Sequence, residues 1–123
     1  MYGAAFTKNK SELARKFTRA YIRAARFYTD AIADGSMSGP NAAEVVAILV
    51  KYSVTKDPEI HKAVIPPVID PDGKLNVASL RKDWQFFKDT GQIDGKVTVD
   101  SLVDTSFAEA AVASLGRYAP KAR

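Results

Sequence analysis

The chain has 123 residues, a net charge of +4, 46% hydrophobic and 26% charged residues, and no cysteine. That length fits one domain burying roughly two-thirds of its unfolded surface, and the balance of apolar and charged residues argues against disorder. Without cysteine there are no disulfides or thiolate metal sites, and the mild positive charge does not point to nucleic acid.

No apolar run approaches the roughly 20 residues that span a bilayer. The opening MYGAAFTKNK lacks the basic-then-apolar order of a secretory signal, so none is expected. The first long element is a helix over residues 11–34. Leu13, Phe17, Ala20, Tyr21, Ala24, Phe27, Tyr28 and Ile32 recur at spacings of three and four and predict its core face. Asn9 or Ser11 is placed to cap it, with Glu12 in the first turn. Two glycines and two serines in Gly35-Ser36-Met37-Ser38-Gly39 end the helix. Pro40 suits the first turn of a second helix continuing to Tyr52, with a core face of Ala43, Val46, Ile48 or Leu49, and Val50.

Asp57-Pro58-Glu59 opens a shorter helix with Asp57 as cap, and Pro66-Pro67 stops it by withholding backbone donors. Asp70-Pro71-Asp72-Gly73 has the chemistry of a turn. Asn76 caps a fourth helix whose Leu80, Trp84 and Phe87 form a stripe ending at Gly91. A helical turn over 100–103 follows, then a helix capped by Thr105 or Asp104 that reaches Leu115, with Gly116 beyond it. Residues 2–6 and 97–99 are the only strand candidates. The expected fold is all-α: one helical unit of about five helices spanning residues 1–123.

Lys16, Arg19, Arg23 and Arg26 make a basic stripe that could meet phosphates or an anionic membrane surface, although a solvated helix face explains it more simply. His61, the single histidine, lacks the companions that metal or nucleophilic sites require, and reads as structural. Asp70 and Asp72 fail the calcium-loop pattern because Lys74 occupies the fifth position and glycine the fourth. Trp84, Phe86 and Phe87 could wall a ligand pocket, but helical spacing makes Trp84 and Phe87 core residues first. Phosphate loops, HExxH and GxSxG are absent. The residues thus assign no catalytic, cofactor or metal role, and no enzyme is expected.

The order of several short motifs carries more information. Phe6-Thr7-Lys8-Asn9-Lys10 leads into Phe17-Thr18-Arg19-Ala20-Tyr21. Asn41-Ala42-Ala43-Glu44-Val45-Val46-Ala47-Ile48 and Asp57-Pro58-Glu59 follow. The tail adds Phe86-Phe87-Lys88-Asp89-Thr90-Gly91-Gln92-Ile93, then Val103-Asp104-Thr105-Ser106-Phe107 with Leu115-Gly116. In this order they resemble the C-terminal portion of the substrate-binding proteins of ABC transporters in the nitrate, sulfonate and taurine class. These periplasmic binding proteins are related to the pyrimidine-precursor proteins of thiamine metabolism.

The resemblance implies the helical end of a two-lobed, type II α/β binding fold, whose C-terminal helices cover the sheet of the first lobe. It implies a periplasmic, non-catalytic receptor that hands a small organic or inorganic anion to an ABC permease, with this chain a fragment or truncated form. No ligand-binding residue is carried over. Helices that cover a sheet keep an apolar face, so self-association, as a dimer, is expected in its absence. The alternative is a small self-associating helical interaction module that uses the basic face of the first helix.

Overall fold

The computed structural model describes residues 2–94 and 96–120. Among them are seven helices and no strand: α1 (Ala4–Asn9), α2 (Ser11–Asp30), α3 (Ala42–Tyr52), α4 (Pro58–Ala63), α5 (Val77–Asp89), α6 (Val99–Leu102) and α7 (Ser106–Leu115). The expected all-α class holds, with two short helices beyond the five anticipated.

One of them, α1, overlaps residues 2–6, one of the two strand candidates. Two alanines favour helix, and the Gly3 carbonyl accepts from Phe6 N–H at 3.0 Å and Thr7 N–H at 3.2 Å. Tyr2 is held outside the helix by its ring, which meets Phe17 and Phe107 edge-on at 6.0 Å. The chain turns at Lys10, whose carbonyl accepts from Ala14 N–H, so neither Asn9 nor Ser11 caps α2. Residues 97–99 form no strand either; Val99 opens α6 and is buried.

α2 stops at Asp30, four residues early. Asp34 and Gly35 take positive φ values of 49° and 75°, and a bridge between Ala33 and Ser36 folds the chain back. Gly39 then donates to the Ala31 carbonyl at 2.9 Å. A Cβ on Gly39 would lie 2.2 Å from the Asp30 carbonyl oxygen, so this crossing of two backbones admits only glycine. The caps at Asp57 and Asn76 form as expected, with Asp57 accepting from Glu59 N–H and Asn76 from Ser79 N–H. Thr105 occupies the cap position of α7 without a capping bond, while Asp104 accepts from Ser106 N–H at 2.9 Å. The hydroxyl and amide of Ser106 hold the Asp104 carboxyl below its usual range.

Two small cores result. α7 packs along α2, with Ala14, Ile22 and Ala25 buried on one helix and Phe107 and Ala111 on the other. Ala31, Ala42 and Val45 form the second, flanked by Phe27, Tyr28, Met37 and Leu49.

The expected core faces are corrected in part. Leu13, Phe17 and Tyr21 are 52%, 60% and 53% exposed, because the covered arc of α2 is the adjacent one facing α7. On α3, Ala42, Val45 and Val46 are buried, whereas Ala43 and Ile48 face outward. No residue of α5 is buried, and α6 is the only helix it contacts.

The exposed surface is 9061 Å². A compact monomer of this mass exposes about 6,500 Å², so the chain exposes roughly 2,500 Å² more than a fully compact fold of its mass. Gly39→Ala is expected to cost about 1–3 kcal/mol in urea unfolding, through overpacking against fixed backbone. Gly3→Ala, where a Cβ meets nothing within 4 Å, is expected to be neutral.

Candidate functional site

The most concentrated polar chemistry lies on the last turns of α2. Arg26 donates through Nη2 to Asp72 Oδ1 at 2.6 Å and to the Gly116 carbonyl at 2.6 Å, and through Nε to the Pro71 carbonyl at 3.2 Å. Asp72 Oδ1 also accepts from Tyr118 N–H at 3.1 Å, and the Tyr118 hydroxyl donates to Asp30 Oδ1 at 2.7 Å. Three stretches distant in sequence thereby converge: the end of α2, the turn over 70–73 and the tail beyond α7. The local folding that presents them is simple. Asp70 Oδ1 accepts from Asp72 and Lys74 N–H groups, and Gly73 adopts a φ of 73° to close the turn. Gly116, at φ 76°, ends α7 beside the guanidinium.

Arg26 therefore leaves the basic stripe. Its side chain is 15% exposed and committed to the fold, while Lys16, Arg19 and Arg23 stay exposed without an ion pair among the described residues. Three solvated cations are what remains of a surface for anions. Sequence periodicity could not single out Arg26, because its partners lie 45 or more positions away.

A half-open cavity of about 460 Å³ lies between α2, α3, α4 and residues 64–69, walled chiefly by Tyr21, Tyr28, Leu49, His61, Val64 and Pro66. Its size suits a small ligand. Its chemistry suits an apolar one, since no Lys or Arg reaches its lining. Burial pushes the Tyr28 phenol above its ordinary pKa. His61 forms part of the wall, and its Nε2 lies 2.9 Å from the Thr55 carbonyl oxygen, which fixes that nitrogen as the donor. Among the described residues no three His, Asp or Glu side chains gather as a metal site would require. The candidate aromatic wall of Trp84, Phe86 and Phe87 lies elsewhere, on α5. There Phe86 and Phe87 are 60% and 42% exposed, and Lys88 stacks on Trp84 at 5.3 Å.

The molecule's most extensive unassigned feature is thus apolar. The outward stripe of α2 runs from Leu13 through Phe17 to Tyr21, and Tyr21 continues it into the cavity. The face of α5 formed by Leu80, Trp84 and Phe87 stands separately on its own arm.

Arg26→Gln is expected to lower stability by about 1–3 kcal/mol, because Asp72 and two carbonyls lose a charged donor. Arg19→Gln and Arg23→Gln should stay within about 0.5 kcal/mol in the same denaturation assay. Burial, the bond to Asp30 and the charge of Asp30 push the Tyr118 phenol from 10.0 up to about 12. Its neutral form therefore favours the folded state below pH 10, and that contribution disappears as pH rises from 10 to 12. Tyr118→Phe should flatten this alkaline loss of stability, and phenolate absorbance should show one late-titrating tyrosine fewer. Comparison of the chain with protein-family models, with curated proteins and with solved structures gives no match.

Proposed function

We propose that the chain is the C-terminal helical part of the solute-binding component of an ABC importer, of the class that takes up nitrate, sulfonates or taurine. Its contribution is non-catalytic. It closes over the apolar surface of the rest of the receptor, which holds the small anion and presents it to the permease in the periplasm.

The observation that carries this reading is the unfinished apolar face of α2, where Leu13, Phe17 and Tyr21 stand more than half exposed beside the arc that buries Ala14, Ile22 and Ala25. A helix designed for solvent on that side would carry polar residues there. The order of motifs along the chain supports the same reading through its resemblance to the receptors of this class. The chemistry of the cavity is in keeping with a supporting role, because an uncharged apolar wall offers nothing to balance a bound anion.

Co-expression tests it. A receptor of this class lacking its own C-terminal helices, carrying an affinity tag, is produced together with this chain. The expected result is a soluble one-to-one complex that binds taurine or nitrate, while the chain alone binds neither. Recovery of the soluble receptor part without the chain, or saturable micromolar binding of either anion by the chain alone, contradicts the proposal.

A further inference from the structure

Between α4 and the 70–73 turn the chain runs outside any helix as Val64-Ile65-Pro66-Pro67-Val68-Ile69. Local chemistry sets this backbone. Proline locks φ at Pro66 and Pro67, and Ile65 and Pro66, each followed by a proline, are kept out of the helical region. Val64 has φ −76° and ψ 147°, close to the polyproline II values of about −75° and +145°.

Exposure along the segment follows the same geometry. A polyproline II helix has three residues per turn, so positions three apart share an edge. Pro66 is buried and Ile69 partly buried, and both line the cavity. Ile65 and Val68 form a second edge and are 88% and 96% exposed. Val64 and Pro67, also exposed, form the third. One edge thus anchors the segment to the body, and two apolar edges face outward.

Both ends are held. Val64 N–H donates to the Ile60 carbonyl at 3.1 Å, and Arg26 donates to the Pro71 carbonyl and to Asp72 just past the other end. Among the described residues no hydrogen bond engages the backbone of residues 65–69, which leaves their carbonyls open as acceptors.

This combination selects among partners. A sheet edge pairs through backbone donors, and two consecutive prolines remove them at the centre of the segment. A groove that takes an amphipathic helix needs anchors at helical spacing, which an extended segment lacks. A reader of polyproline II uses what is present: apolar edges spaced in threes, free carbonyls, and a backbone already ordered by the fold.

We propose that residues 64–69 are a docking segment for a protein with an aromatic-lined groove. The rings of the groove pack against the two outward edges, whose paired side chains stand about 9 Å apart along the segment, and its indole or phenol groups donate hydrogen bonds to the carbonyls. The segment includes nothing of the Leu13, Phe17 and Tyr21 face, and this docking stands or falls separately from the receptor reading.

A purified WW domain, which carries such a groove, is the probe. Added to the isotope-labelled full chain, it should bind with micromolar affinity, shift the backbone amides of Ile65, Val68 and Ile69 most, and be displaced by a proline-rich peptide. Ile65→Ser combined with Val68→Ser should weaken binding about tenfold or more, since two aliphatic side chains leave the contact. Both project into solvent, so the fold should hold. Val54→Ser, which removes an equally exposed valine outside the segment, should leave binding unchanged. Absence of binding, binding that survives the double variant, or equal weakening by Val54→Ser overturns the proposal. The amide shifts decide it without any variant, because shifts centred on α2 or α5 rather than on residues 64–69 overturn it as well.

Discussion

The structure depends on one constraint: α2 has a wider apolar arc than the rest of the chain covers. α7 takes the side with Ala14, Ile22 and Ala25, while α1 lies against α2 and Tyr2, ahead of α1, shares a hydrogen bond with the Thr18 hydroxyl. The side with Leu13, Phe17 and Tyr21 remains open. A single helix of 20 residues thus serves as the spine of two faces, one internal and one presented outward. Burial of apolar surface contributes about 25 cal/mol per Å², so leaving this face open forgoes stabilisation that the inner face receives from α7.

Where apolar packing is thin, directional polar contacts locate the segments. Arg26 fastens the 70–73 turn and the tail beyond α7 to the same point of α2. Tyr118 adds a second tie through Asp30. Such contacts specify position strongly and add modest net stability, since each exchanges bonds to water for bonds within the protein. They also determine what remains free. With the 70–73 turn tied to α2, the arm beyond it leaves the body with Trp84 and Phe87 unburied.

Much of the architecture was legible in the sequence where local chemistry decides it. Asp57 and Asn76 cap helices because their carboxyl and amide oxygens reach backbone donors two or three residues on. Gly91 and Gly116 end helices because they accept positive φ. Spacing showed that α2 and α5 each have apolar faces, but it could not show which of two adjacent arcs α7 would choose, since both arcs of α2 are apolar. It also left residues 2–6 as a strand candidate, where an aromatic, glycine and two alanines fit a short helix as readily as a strand. The role of Arg26 was hidden for a different reason. Asp72, Gly116 and Arg26 meet only through the tertiary fold, and a stripe of four cations reads the same whether or not one turns inward. In the candidate site, the apolar residues were visible and their exposure was not.

The central claim is that the outer face of α2 is covered by another molecule when the protein is in solution. Hydroxyl-radical footprinting of the purified chain at micromolar concentration, read residue by residue by mass spectrometry, tests it most directly. Tyr52, 75% exposed, supplies the internal standard for an open aromatic side chain. Phe17 and Tyr21 should be labelled far more slowly than Tyr52, allowing for their intrinsic reactivities, and this protection should fade on dilution. Labelling of Phe17 and Tyr21 at the rate of Tyr52, unchanged by concentration, would contradict it.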